Sequence, residues 1–291
     1  MGRQPPREYL PMPIKTRHRQ ARLVHALLIS AMAAGAYHLK PPAPTQVQVP
    51  AHPEPFAWYP IPQPLDDELP DFAAIRDIDL KKQTFFDFLQ PYIDAKNTEV
   101  RYQRRRLQLI VTKVKAGTRL RQDENAFLWE LARSYELKTD DLHDPVFLQR
   151  LLHRVDVLPP SLVLAQAANE SAWGTSRFAQ QGYNFFGQWC YTQGCGLVPV
   201  RRRANASHEV KSFSSIEEAV NAYFRNLNTF PSYQDLRLIR QALRQDAKPI
   251  DGISLAPGLR EYSERGDAYI RELQTLIYKN DLLSRDKTLY P

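Results

Sequence analysis

A mainly α-helical fold with a small β-hairpin lobe (α+β) is what this sequence predicts, and three features predict it. Apolar residues recur at spacings of three, four and seven over most of the chain beyond residue 70. Helix-start signals stand at Asp144-Pro145 and at Ser214-Ser-Ile-Glu-Glu218. A single hairpin pattern, 197–202 with 208–213 around 204–207, interrupts the helices. The 291 residues are 43% hydrophobic, enough to bury a core in one large or about two domains, which excludes a wholly disordered or collagen-like chain. Two cysteines cannot build a Cys-only zinc site or a dense disulfide scaffold. No HExxH, CxxC or Walker-type glycine run is present, so no metal and no cofactor is expected.

Residues 1–40 carry seven basic side chains and one acid, so six of the net +7 charges lie there and the remaining 251 residues are close to neutral at +1. Behind the basic stretch ending at Arg22 comes a mostly apolar run of seventeen residues, Leu23 to Leu39. Two readings fit it: a secretory signal cleaved near Ala36, or an uncleaved anchor with its basic side in the cytoplasm. An amphipathic surface helix is the plainer alternative, disfavoured because only His25, Ser30 and His38 interrupt the run. Either favoured reading sends the rest of the chain across a membrane. Residues 41–70 hold ten prolines, which lack the amide donor a helix needs, and read as an extended spacer.

Residues 71–157 read as a helical region. Phe85, Phe86, Phe88 and Leu89 form an apolar cluster stopped by Pro91. A second helix carries Val100, Leu107, Ile110, Val111 and Val114 and ends at Gly117; helices around 125–133 and 146–155 follow. Arg104-Arg105-Arg106 reads as a solvated helix face, with contact to phosphates or a wall polymer as the sharper alternative.

The chemistry lies in the last region, 158–291. Leu158-Pro-Pro opens a helix whose Leu162, Val163, Leu164, Ala165, Ala167 and Ala168 are apolar nearly all round, so it is buried, and Glu170 falls in its last turn before Gly174. Burial and the negative end of the helix dipole both disfavour a carboxylate there, which raises its pKa as a general acid requires; a Glu pointing outward is the bland reading. Trp173, Tyr183, Phe185, Phe186 and Trp189 crowd into seventeen residues with Asn184 and Gln188 among them. Flat rings mixed with amides suit sugars, although ordinary core fits Phe185 better. Substrate-binding candidates are therefore Trp173, Asn184, Phe186, Gln188, Trp189 and, from the helix of Ile216, Ala219, Val220 and Leu227, Tyr223, whose safer reading is core packing.

Asn169-Glu-Ser-Ala-Trp-Gly-Thr-Ser176 followed by Tyr183-Asn-Phe-Phe-Gly187 resembles the signature of the bacterial Bax-like peptidoglycan β-N-acetylglucosaminidases, relatives of the flagellar-rod muramidase-type hydrolases. The resemblance extends over about residues 75–285, including Lys81-Lys-Gln-Thr-Phe-Phe-Asp-Phe-Leu89 and Cys190-Tyr-Thr-Gln-Gly-Cys-Gly-Leu-Val-Pro199. It implies a lysozyme-like domain with the β lobe beside the substrate cleft, and an endo-acting enzyme that cuts the β-1,4 bond after N-acetylglucosamine with Glu170 as general acid. A second carboxylate maps onto Glu209 and a family tyrosine onto Tyr262, where Tyr262-Ser-Glu-Arg-Gly-Asp-Ala-Tyr269 departs from the family pattern by one extra residue. The implied partner is the peptidoglycan glycan strand, not nucleic acid, and the implied location is the periplasm of a Gram-negative bacterium, free or tethered to the inner membrane. In that oxidising compartment Cys190 and Cys195 are expected to form a disulfide, with free thiols or a catalytic Cys less favoured. A lytic transglycosylase and a non-catalytic wall-binding scaffold are the competing readings. With a near-neutral domain, recognition is expected to rest on aromatic and amide groups and to depend weakly on salt.

Overall fold

The computed structural model describes residues 68–200, 202 and 207–289. The export or anchor segment, residues 41–67 of the proline-rich spacer and most of the hairpin tip lie outside them. No helix among the described residues is long and apolar enough to cross a membrane.

The predicted class is observed: the described residues are mostly helical and carry one small sheet. α1 (Ile78–Lys115) begins at Asp77, whose carboxylate accepts from the Leu80 amide. It runs for 38 residues and passes straight through Pro91, where the sequence pattern predicts a stop. A proline in mid-helix costs about 3 kcal/mol. Here Phe85, Phe86 and Leu89 before it and Tyr92 and Ile93 after it are all buried in one core, and that shared burial outweighs the lost hydrogen bond. The second half of α1 packs on α2 (Gln122–Ser134) and α3 (Pro145–Arg154), the latter capped by Asp144 ahead of Pro145 as the sequence predicts, around a separate cluster of Leu107, Leu128, Leu131 and Leu151. One helix therefore supports both cores.

α4 (Pro160–Ser171) runs through the first core, and α5 (Arg177–Gly182) follows it. The lobe is a three-stranded antiparallel sheet, β1 (Trp189–Cys190), β2 (Gly196–Leu197) and β3 (Glu209–Lys211), with β3 in the middle. This corrects the simple hairpin: β2 does pair with β3, Leu197 opposite Val210, but Trp189 also pairs with Val210 from the other side. α6 (Ile216–Thr229) starts at the Ser215 cap, and α7 (Gln234–Gln245), α8 (Gly252–Leu255) and α9 (Asp267–Lys279) close the core. A final 3-10 stretch, Leu282–Leu289, packs on α4, where the Asp286 carboxylate accepts from the amide and hydroxyl of Ser161.

Asp156, 3% exposed, ties the two halves together. Its carboxylate pairs with Arg104 of α1 at 3.2 Å and with Arg240 of α7 at 3.7 Å, and takes two hydrogen bonds from Arg244. Burial pushes this carboxyl up, but the three guanidiniums outweigh it and hold it below its usual range. The arginine run thus departs from a uniformly solvated face. Arg104 turns inward and Arg106 lies on the Phe127 ring beside Asp123, while Arg105 is exposed.

Candidate active site

The site is built at the C-terminal end of α4. Because Leu162, Val163, Leu164, Ala165, Ala167 and Ala168 are each at most 1% exposed, the helix cannot rotate without exposing its core face. Its polar residues Gln166 and Glu170, one turn apart, are fixed on one side. Glu170 Oε1 accepts from the Tyr269 hydroxyl at 2.9 Å and from Asn169 Nδ2 at 3.3 Å. Gln166 Nε2 donates to the same Tyr269 oxygen at 2.8 Å, and the Tyr223 hydroxyl donates to Gln166 Oε1. The result is a one-way chain of donors, Tyr223 to Gln166 to Tyr269 to Glu170, in a buried setting that strengthens each link.

Burial raises the pKa of Glu170; the Tyr269 and Asn169 hydrogen bonds and the charge of Arg265 oppose that rise without cancelling it, and Glu272 adds to it. Burial, then the facing Glu170, push the Tyr269 phenol far above its ordinary value, so it is a fixed donor and never an ion at working pH. This is the raised helix-end carboxyl that the sequence predicts.

Beyond Ser171 the chain takes three left-handed residues in succession, Ala172, Trp173 and Gly174, with φ of 51°, 59° and 75°. For the two with side chains this costs about 1–2 kcal/mol each. Ser171 holds the turn, its hydroxyl donating to the Ala167 carbonyl and accepting from the Gly174 amide. Phe72 fills the space where a Gly174 Cβ would stand, 2.4 Å from its ring. The Glu-Ser-Ala-Trp-Gly order therefore encodes an acid followed by its own turn staple.

Asn184 organises the opposite wall. Its amide donates to the Gln188 and Lys211 carbonyls and its Oδ1 accepts from the Phe186 and Gln188 amides, pinning the 183–188 loop to β3. That places Gly187, at φ +64°, over the acid; a Cβ there would stand 3.3 Å from Glu170 Oε2. The glycine keeps this second oxygen approachable.

The structure sorts the remaining candidates. Asn184, Phe186 and Tyr223 are at most 1% exposed, so their side chains do not line an open surface in this structure: Phe186 stacks on Tyr223 with centroids 4.1 Å apart. Phe185 is core. Trp173 is half-buried against Phe85 and Phe86, and Gln188 is half-buried against the Ala219 carbonyl. Trp189 is 56% exposed and stacks on His208 in the lobe. Tyr262 stacks on Tyr269 with centroids 5.8 Å apart but donates to the Phe186 carbonyl, not to Glu170.

Cys190 and Cys195 form a disulfide. Glu209, 5% exposed, is absorbed by the loop they close: its two oxygens accept from the Gly194 and Gly196 amides at 3.0 and 2.8 Å, and those bonds hold its pKa below the usual range. A carboxylate oxygen and the two sulfurs lie within 4.8 Å of one another. No described hydrogen bond joins Glu209 to the Glu170 network.

Tyr269 and Gln166 are the site residues that sequence reasoning passes over. Gln166 had a signal, a lone amide one turn before Glu170 in an otherwise apolar buried helix. Tyr269 stood at the far end of the block that pointed to Tyr262, and only the packing of α9 on α4 shows which ring reaches the acid.

Among known proteins, the family model described as "Glucosaminidase: Mannosyl-glycoprotein endo-beta-N-acetylglucosaminidase" matches residues 147–282. Protein bax of Escherichia coli (strain K12) is 32% identical over 215 residues, which is 74% of this chain and 75% of that protein. The catalytic domain of the autolysin Auto from Listeria monocytogenes is a more distant match in structure, with a TM-score of 0.39 and 19% identity over 74% of this chain and 92% of that one.

Proposed function

This chain belongs to the glucosaminidase family, and on that premise we propose that it is a peptidoglycan hydrolase cutting the β-1,4 bond after N-acetylglucosamine, with Glu170 as general acid. The observation that carries the reading is the Glu170 carboxyl itself. It is raised by burial, oriented through Oε1 by Tyr269 and Asn169, and left with Oε2 facing the Gly187 backbone.

Cleavage of a glycosidic bond requires a proton for the leaving oxygen and stabilisation of an oxocarbenium-like sugar. A carboxyl whose pKa burial raises above its ordinary value is suited to supply the first. As the proton leaves, the carboxylate gains charge, and the Tyr269 hydrogen bond strengthens against it, so the donor chain favours the transition state over the resting acid. For the second requirement, Glu209 is poorly suited as a base, since both its oxygens are occupied by backbone amides and its pKa is depressed. We assign the nucleophile to the substrate's own N-acetyl oxygen, followed by water, and give Glu209 the task of bracing the disulfide loop.

The same single-carboxyl arrangement would also serve a lytic transglycosylase, in which the muramic acid's own hydroxyl closes the ring. Digestion of purified sacculi followed by mass spectrometry separates the readings. N-acetylglucosamine reducing ends are expected; anhydro-muramic ends would establish the transglycosylase, and no new ends a wall-binding protein. We place the enzyme in the periplasm, reached through the 1–40 segment.

A further inference from the structure

A groove of about 530 Å³ opens beside the acid, between Trp173 and the outer face of α9. Its charges are one-sided. Lys82, Arg265, Arg271 and Lys279 line it against a single carboxylate, Glu272, a local excess of +3 in a chain whose residues 41–291 sum to only +1. Arg265 is paired with Glu272 at 2.7 Å and lies over the Tyr269 ring, 5.6 Å from its centroid, so the groove begins at the tyrosine that holds the acid. Lys82 stands over the Trp173 ring at 5.7 Å, within reach of Asp79 at 3.7 Å. Arg271 and Lys279 are exposed and form no ion pair among the described residues. From residue 267 to residue 279 the helix advances about 18 Å, which matches roughly five residues of extended peptide.

We propose that this groove binds the free carboxylates of peptide stems carried by the glycan, with Trp173 as the sugar-side wall and Arg271 and Lys279 as the outer anion contacts. The proposal rests on the peptidoglycan reading above and extends it from the scissile bond to the side chains of the polymer. Arg265 stands close enough to Glu170 for its charge to lower that carboxyl's pKa, so a sugar seated at the acid comes near the start of the groove. An uncharged polysaccharide would gain nothing from cations spaced along the next 18 Å or so of helix, whereas a short acidic peptide hanging from the sugar would meet them in turn. The expectation of weakly salt-dependent recognition then holds for the sugar alone and fails for the decorated strand.

The test uses the Glu170→Gln chain as a non-cleaving binder and compares it with the same chain carrying Arg271→Gln and Lys279→Gln. Three probes are titrated: peptide-bearing glycan fragments, the same fragments stripped by an amidase, which keep only the lactyl carboxylate, and an oligomer of N-acetylglucosamine. Two rim charges predict a loss of about three- to tenfold in affinity for the peptide-bearing probe. A similar loss is expected for the parent on raising NaCl from about 0.05 to about 0.5 M, with the neutral oligomer unaffected by either change. Unchanged affinity for the decorated probe would overturn the proposal, as would an equal loss on all three probes. A loss as large on the stripped fragments would transfer the groove from the peptide to the lactyl group and overturn the stem assignment. Failure of the wild-type chain to release new ends from sacculi would refute the hydrolase reading separately, leaving the binding comparison to decide the groove.

Discussion

The Tyr269 hydroxyl donates to Glu170 Oε1 across 99 residues of sequence, and Gln166, one turn before Glu170, donates to that same hydroxyl. The acid is thus held by a residue that is itself held, and its rotamer and its pKa become properties of how α9 packs on α4.

Replacing Glu170 by Gln removes the proton donor and keeps the shape. Hydrolysis of sacculi should fall by about 10²–10⁴-fold with an unchanged circular dichroism spectrum; near-normal release of reducing ends would sink the assignment. Stability should move the other way. The folded carboxyl titrates above its unfolded value, so what it contributes is present at low pH and is lost as pH rises through the folded pKa. Glutamine has no such loss, and the melting temperature of the variant relative to wild type should rise between pH 4 and pH 7, measured by calorimetry at about those two values.

Tyr269→Phe deletes a bond that favours the ionised acid. The Glu170 pKa should climb further, and the alkaline limb of the kcat/KM profile, which reports the acid, should shift upward by about one pH unit. A limb that stays in place or moves down would mean that the phenol does not govern the proton. The lost partner for Gln166 should also cost about 1–3 kcal/mol of stability.

Asp156→Asn removes the counter-ion of the buried Arg240, the half-buried Arg104 and the exposed Arg244. Breaking a buried pair costs about 3–5 kcal/mol, readable as a lower urea midpoint. In the wild type the Asp156 pKa is depressed, so its contribution is complete above the unfolded value of about 4 and disappears as pH falls through the lower folded value. The variant's deficit should therefore shrink in acid, and a constant deficit from about pH 6 to about pH 2 would contradict the ion-pair account.

Reduction of Cys190–Cys195, or the double Ser variant, should act locally. A loop this short contributes about 2 kcal/mol in the chain-entropy model, and the amides it orders are those of Gly194 and Gly196 on Glu209. Hydrogen exchange should quicken at these two amides while the α4 amides keep their protection; uniform quickening would show that the lobe and the helical core unfold as one.

Local chemistry was legible in the sequence and long-range geometry was not. The buried helix ending in an acid and the Asp144 and Ser215 caps follow from residues within a few positions of one another, whereas the sheet was legible only as its β2–β3 hairpin, because Trp189 reaches Val210 across 21 positions. Pro91 read as a stop because propensity is local, while the packing on either side of it is tertiary. Arg104 read as solvated because its partner Asp156 lies 52 positions away. The aromatic block stands out in the sequence, yet chemical suitability for a sugar cannot tell an exposed Trp189 from a buried Phe186.

Phe72 lies at the threshold of the described chain, and its ring occupies the hollow over Gly174 while meeting Phe85 and Phe88 edge-on. In mechanical terms the residues just before α1 and the strained turn behind the acid share one ring. A pull that displaced Phe72 would leave a vacancy beneath the Trp173–Gly174 turn, which would relax into it. The doorway of the domain is also the keystone of its active-site turn.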